Sequence, residues 1–311
     1  MLIILLLINI GCSAKANEID GKKPVIKIGY LPITHAAPLF LQEQMHNEKH
    51  EKYEIELVKF GSWPDLMDAL NAGRIDGASV LIQLAMKAME KGIDLRAVAL
   101  GHEDGNVLIS KQDVDSIQDM KGESFAIPHT YSTQHLLLQE LLTLEGMEYE
   151  DIDIVELPPA EMPVALSEER ISGYVVAEPF GALGVRLDIG EVLAFSEEFW
   201  PNSYCCVLVL RNNVIENNTE MTKQFVTDYV NAGLKADEKD GRLYTTLQEY
   251  IKVEEETLDI SLDWITFNNL AIEEEEYDNI YHRVIDLNLM ESPPTYHEFV
   301  DNQFIDGMET E

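Results

Sequence analysis

Val25-Ile26-Lys27-Ile28-Gly29-Tyr30, followed by Leu31-Pro32-Ile33-Thr34-His35-Ala36-Ala37-Pro38, is the stretch whose reading decides the fold. Six apolar-rich residues end in a turn of small, polar and proline residues, and Leu39 to Gln44 then reads as helix. A strand that runs through a polar turn into a helix is the unit of an α/β fold with largely parallel strands. Tyr53 to Phe60 alternates as a second strand and leads through Gly61-Ser62-Trp63-Pro64-Asp65 into a helix. Ser62 suits the cap of that helix, Pro64 and Asp65 suit its first turn, and Leu66, Leu70 and Ala72 form its inner face. Ile75 to Val80, Leu95 to Leu100 and Val107 to Ser110 supply further strands.

The pattern then restarts. Ser124 to Pro128 reads as a strand, followed by His129-Thr130-Tyr131-Ser132-Thr133 and a helix from Gln134 to about Glu145. Ile152 to Leu157 is the next strand and Glu161 to Glu168 a helix. Tyr174 to Ala177 is a third strand, entering Glu178-Pro179-Phe180-Gly181 and another helix. Cys205 to Leu210 forms a last strand, and from Asn218 onward the periodicity is almost all helical. Strand-to-helix turns thus fall at Thr34, Ser62, Ser132 and Glu178, two in each strand set. Free amide N–H groups at a helix start favour anions, and in open α/β sheets such turns line a crevice at the carboxyl ends of the strands. Facing each other across a hinge, they are expected to hold a small ligand from both sides, although each turn taken alone also reads as an ordinary cap.

Composition narrows the function classes. The chain has 311 residues, 57 acidic against 22 basic, for a formal net charge of −35. With 46% hydrophobic residues, 18 Gly and 12 Pro, it is neither disordered nor collagen-like, and its length suits two domains. The negative charge excludes nucleic acid and a basic membrane-surface patch, since both need clustered Lys and Arg. An anion would be repelled at long range, so any anion site must be built locally.

Leu2 to Ile10 is apolar and is followed by Gly11-Cys12-Ser13-Ala14-Lys15-Ala16. A membrane-spanning helix needs roughly 20 apolar residues, so this run fits a secretory signal rather than an anchor. Two exits stay open: lipidation at Cys12, which is the preferred reading, or cleavage after Ala16. Both place the mature protein outside the cytoplasm, periplasmic, secreted or lipid-anchored, touching the membrane through the lipid only.

From about Val25 to Ile305 the chain resembles the solute-binding proteins of ATP-driven (ABC) importers for nitrate, sulfonates, taurine and bicarbonate, closest to the nitrate and bicarbonate branch. Five segments carry the resemblance: Gly29 to Leu39, Gly61-Ser62-Trp63, Gly73 to Ala78, Leu157 to Met162, and Ile171 to Gly181. It implies a two-lobed periplasmic-binding-protein-like fold (type II), each lobe a mixed sheet flanked by helices. Residues 1–22 would be signal and tether, 23–108 with 206–311 lobe I, and 109–205 lobe II. It further implies a non-enzymatic receptor that traps a small anion or organic solute and delivers it to a membrane permease and its ATPase. The ligand-binding residues it implies are Thr34, His35, Ser62, Trp63, His129, Thr130, Ser132, Thr133, Gln134, Glu178 and Cys206. His35 stands where the branch usually has Asp, and Cys206 where it carries an anion-pairing lysine. The loss of that fixed positive charge puts nitrate in doubt.

Two alternatives follow from residue chemistry. His35, His129 and Glu178 form a candidate zinc set, although no His-x-x-x-His or Cys-x-x-Cys spacing supports it. Cys206 with His129 as base is the residue pair an enzyme of the related pyrimidine-synthase or thiaminase type would need. Cys205 and Cys206, as neighbours in a strand, are expected to point to opposite faces, one toward the cleft and one toward the core.

Overall fold

The computed structural model describes residues 23–49 and 53–305. The expected signal segment and Cys12 lie outside the described residues.

The chain begins with β1 (Val25–Tyr30), turns at Thr34–Ala36 and enters α1 (Ala37–Lys49). Next come β2 (Glu54–Lys59), α2 (Trp63–Asn71), β3 (Gly77–Leu81), α3 (Ile82–Glu90) and β4 (Leu95–Leu100). A two-residue strand, β5 (Glu103–Asp104), precedes β6 (Asn106–Ser110). The second unit follows as β7 (Ser124–Ile127), α4 (Thr133–Leu144), β8 (Asp153–Glu156), α5 (Met162–Ser167), β9 (Gly173–Ala177), α6 (Phe180–Arg186) and β10 (Glu191–Phe195). β11 (Cys206–Arg211) leads to α7 (Asn212–Asn217), α8 (Thr219–Asp237), α9 (Gly241–Tyr250) and α10 (Glu255–Asp263). The short β12 (Ile265–Thr266), which pairs with β5, interrupts the helical tail before α11 (Glu274–Asp286) and α12 (Tyr296–Phe299).

Two five-stranded sheets result, in the orders β2-β1-β3-β11-β4 and β10-β6-β9-β7-β8. Read from its other edge, the second sheet repeats the plan of the first. β7 lies between β8 and β9, parallel to both, and β6 returns antiparallel to β9 as β11 does to β3. β3, β6 and β9 are buried along their whole lengths, as strands covered by helices on both faces must be. The tail packs back on the first sheet's layer: Gln42 Nε2 donates to the Phe225 carbonyl at 2.8 Å, and Tyr229 Oη donates to the Leu100 carbonyl at 3.1 Å.

The topology decides what can meet. β1 and β4 run the same way and β11 runs against them, so the ends of β1 and β4 and the start of β11 share one edge of the first sheet. By the same logic the ends of β7 and β9 and the start of β6 share one edge of the second. These edges meet, because the Thr34 N–H donates to the Glu178 carbonyl at 2.7 Å and Thr133 Oγ1 donates to the Tyr204 carbonyl.

Candidate functional site

Four side chains from the first sheet's edge converge where the two sheets meet. His35 comes from the turn after β1, His102 from the turn after β4, and Cys205 and Cys206 from the entry to β11. One ligand atom from each lies within 4.8 Å of all the others, and all four residues are wholly buried. The two sulfurs are 3.7 Å apart, and His35 Nδ1 is 3.7 Å from Cys206 Sγ. The His35 and His102 rings stack with centroids 3.6 Å apart, tilted 42°. Gly101 permits this approach: a Cβ there would fall 2.9 Å from the His35 carbonyl and 3.2 Å from the Cys206 Cβ.

Both cysteines reach the cluster, which corrects the expectation of opposite faces. β11 begins at Cys206, so Cys205 belongs to the extended approach, where strand alternation does not hold. Both thiols are free. Burial raises each thiol. At Cys205 the Cys206 thiol and nearby His35 outweigh burial and bring it well below the ordinary thiol range, while burial and Cys205 hold Cys206 well above it. Burial and the His35 neighbour bring His102 down to about 4. The centre is therefore neutral to anionic, and no lysine or arginine is buried among the described residues.

The donor set fits a thiophilic metal. Zinc with thiolate bonds of about 2.3 Å spans about 3.8 Å between two sulfurs of a tetrahedron, close to the 3.7 Å seen here. His35 Nε2 lies 2.9 Å from the Gly105 carbonyl and carries the ring hydrogen to it, which leaves Nδ1 free toward the sulfurs. Neither ring nitrogen of His102 makes a hydrogen bond of ordinary geometry, although the residue is fully buried. Its ring keeps only looser contacts, with the Cys205 thiol and the Asp104 backbone; a buried imidazole so weakly satisfied costs up to about 1–3 kcal/mol, and a metal ligand role removes that cost.

The other sequence-predicted residues take different roles. His129 is not part of the cluster. Its Nδ1 accepts from the Tyr131 N–H at 2.9 Å, and it lines a surface groove with Met67, Leu84 and Lys87. It is thus neither the expected zinc ligand nor a base for Cys206. Glu178 is buried beside the cluster, but its carboxylate turns back on its own helix, accepting from the Ala182 N–H at 3.2 and 3.3 Å. Burial raises its pKa to about 8, and both of its oxygens are engaged by that first turn rather than turned to the cluster. Ser62 and Ser132 cap α2 and α4, and Thr130 is held by Glu156 through its backbone N–H and its hydroxyl. Thr34 Oγ1 pairs with Ser261 Oγ at 3.0 Å. Thr133 accepts from Gln83 Nε2 at 2.7 Å, and Gln134 reaches Cys205 Sγ at 3.1 Å. Trp63 is buried with its indole N–H unpartnered. His102 was missed. The signal was available, since it ends a strand parallel to β1 and so shares an edge with His35.

The two-sheet plan and the site at the facing edges define the two-lobed architecture of periplasmic solute-binding proteins. Residues 20–246 match the NMT1-like family, to which the chain belongs. Among solved structures, the ligand-binding component of an ABC-type import system from Staphylococcus aureus, solved with zinc bound, is 42% identical, with a TM-score of 0.87 over 92% of this chain and 99% of that one. The nitrate-binding protein NrtA of Synechocystis shares the fold at 17% identity, with a TM-score of 0.79 over 91% of this chain and 87% of its own. In sequence, a nitrate import ATP-binding protein (NrtC) of Synechocystis is 26% identical over 56% of this chain, and this chain covers 29% of it. The chain spans about a third of the length of the first such curated relatives.

Proposed function

We propose that this chain is the extracytoplasmic solute-binding component of an ABC importer and that its inter-lobe site takes a thiophilic transition-metal ion, zinc in the first instance. The observation that carries the reading is the buried His35–His102–Cys205–Cys206 cluster, a set of soft and borderline ligands brought together where, among the described residues, no lysine or arginine is buried. The zinc-bound Staphylococcus aureus relative supports it. Partner permease and ATPase subunits, and tethering through a lipid on Cys12, belong to the same reading. Among the described residues no helix is long and apolar enough to cross a membrane. The proposed lobes are residues 23–105 with 205–311 and residues 106–204, supported by β6 pairing in the second sheet from Asn106 onward and by the Ile82 N–H donating to the Cys205 carbonyl at 2.9 Å.

A second reading, a small anion such as nitrate, bicarbonate or a sulfonate, is favoured by the names of several relatives and by the unpartnered Trp63 indole. It is opposed by the absence of a buried positive charge among the described residues. The receptor reading needs no catalytic group, and the Cys206–His129 pair of the enzyme alternative does not come together.

The test is elemental analysis of protein purified under reducing conditions, followed by calorimetric titration of the chelator-stripped protein. One equivalent of zinc, lost in the Cys205→Ser/Cys206→Ser double variant, is expected. Binding of nitrate or a sulfonate with no metal uptake would overturn the proposal in favour of the second reading.

A further inference from the structure

The lobes also touch away from the buried cluster, along α4. The contact comes from a corner of the first lobe in which α3 and α11 are tied together. The Glu90 carboxylate accepts from the Glu291 and Ser292 N–H groups at 2.7 Å each, and Lys87 Nζ donates to the Leu289 carbonyl at 3.2 Å. Tyr277, Ile280 and Val284 anchor α11 by its buried face. Each of these two helices presents one cation to an aromatic ring of the second lobe. Arg283 Cζ lies 4.1 Å from the Trp200 ring centroid, and Lys87 Nζ lies 5.2 Å from that of Tyr131. Arg283 Nη1 also pairs with the Glu140 carboxylate on α4. Trp200 is buried, and the Arg283 and Glu140 side chains are 32% and 26% exposed, so this ion pair is better shielded than a surface one.

We infer that Arg283, seated between Trp200 and Glu140, is a latch that holds the lobes shut whether or not the site between them is filled. The inference goes beyond the ligand reading and does not depend on it. A chain with 57 acidic and 22 basic residues pushes its own parts apart, and a cation placed across the lobe boundary offsets that repulsion locally. The guanidinium suits the task because it stacks on one partner through its plane and donates from its edge to the other, which an ammonium does not do. Arg283 belongs to one lobe and both of its partners to the other, so opening loses the two contacts together. Lys87 is the weaker point of the same corner, being already engaged by Glu90. A shielded cation–π contact with an ion pair is expected to shift the shut-to-open ratio by about tenfold. A ligand that binds the shut form is weakened in proportion as that form is depopulated, so the latch sets affinity from outside the ligand site.

The experiment is small-angle scattering of the full chain in chelator, at about 0.02 M and about 0.5 M salt, on the parent, Arg283→Met, Glu140→Gln and Lys27→Met. Lys27→Met removes the same unit of charge but breaks an ion pair, Lys27–Glu56, that lies within the first lobe. At low salt Arg283→Met is expected to show a larger radius of gyration than the parent, Glu140→Gln a value between the two, and Lys27→Met the parent's value. The gap is expected to narrow at high salt, where lobe repulsion and the ion pair are both screened. Glu140→Gln, at a partly exposed helix position, decides the matter should Arg283→Met fail to fold. Latch variants with the parent's radius at low salt, or a Lys27→Met expansion as large as theirs, would overturn the inference. Either result leaves the metal reading untouched, since no metal is present, and a chain that takes up no zinc leaves the latch standing.

Discussion

His102→Leu is expected to stabilise the metal-free protein and to destabilise the metal-loaded one, an inversion few core substitutions produce. In the metal-free state the parent buries a neutral imidazole with no ordinary hydrogen bond at either nitrogen. Removing such a group recovers about 1–3 kcal/mol. Leucine is of similar volume, and the repacking penalty for a swap of that kind is under about 1.5 kcal/mol. The net change in chelator is therefore a gain of about 1 kcal/mol, against a background in which most substitutions destabilise. In zinc the order reverses. A ligand that binds only the folded state adds about 2.7 kcal/mol at a hundredfold excess over its dissociation constant, and a site reduced to three ligands reaches far less of that. Urea unfolding in chelator and in zinc with a non-thiol reductant measures both numbers. A variant less stable than the parent in chelator, yet with the same increment from zinc, would refute the assignment of His102 as a ligand.

Gly101→Ala places a Cβ 2.9 Å from the His35 carbonyl. It is expected to cost about 1–3 kcal/mol and to lower zinc affinity at least tenfold, read by unfolding and by chelator competition. His129→Ala is expected to leave zinc affinity unchanged within twofold, because the ring is engaged by its own turn; a tenfold loss would return His129 to the ligand set. Burial lowers the pKa of His135, which shares its ring nitrogens with the Thr130 carbonyl and the Tyr149 hydroxyl. The unfolded chain therefore binds that proton first, and the folded protein loses stability as pH falls below the ordinary histidine value. His135→Gln is expected to flatten that fall in urea unfolding between pH 7 and pH 5.

The sheets were legible because apolar runs and polar turns alternate without long insertions, and the restart at Ser124 announced the second sheet. β10 and the β5–β12 pair were not legible: the first is a partly exposed edge strand and the others are two residues each, too short for a period to register. At the site, turn position put His35 on the shared edge where the structure has it, because a strand end fixes which edge a residue occupies. It did not say where the side chain turns from there. His129 and Glu178 occupy corresponding positions, yet a backbone amide two residues on claims the one and the first turn of α6 claims the other. The pair Cys205–Cys206 was misread for a related reason: the alternation rule applies within a strand, and the strand starts between them.

The charge of the chain offers a decision on the cargo that needs no knowledge of the ligand geometry. A surface of formal charge −35 gathers cations and repels anions over about a Debye length, near 8 Å at physiological salt. Glu103 and Tyr204, the neighbours of His102 and Cys205 in the chain, line one surface pocket with Glu273, Glu274, Glu275 and Glu276, so this field is strong beside the cluster. Burial and the adjacent Asp104 raise the pKa of Glu103, as expected of a carboxylate in that negative field. For a divalent cation the association rate is therefore expected to fall as ionic strength rises from 0.01 to 0.2 M, by about tenfold or more for a steered encounter. For nitrate, bicarbonate or a sulfonate it must rise over the same range. Stopped-flow measurement with cobalt(II), followed by thiolate absorption at several salt concentrations, gives the sign directly. Glu274→Gln/Glu275→Gln/Glu276→Gln is expected to reduce the slope while leaving the affinity at high salt unchanged. A metal association rate indifferent to salt, or one that increases with it, would show that the acidity of this protein has no part in drawing its ligand.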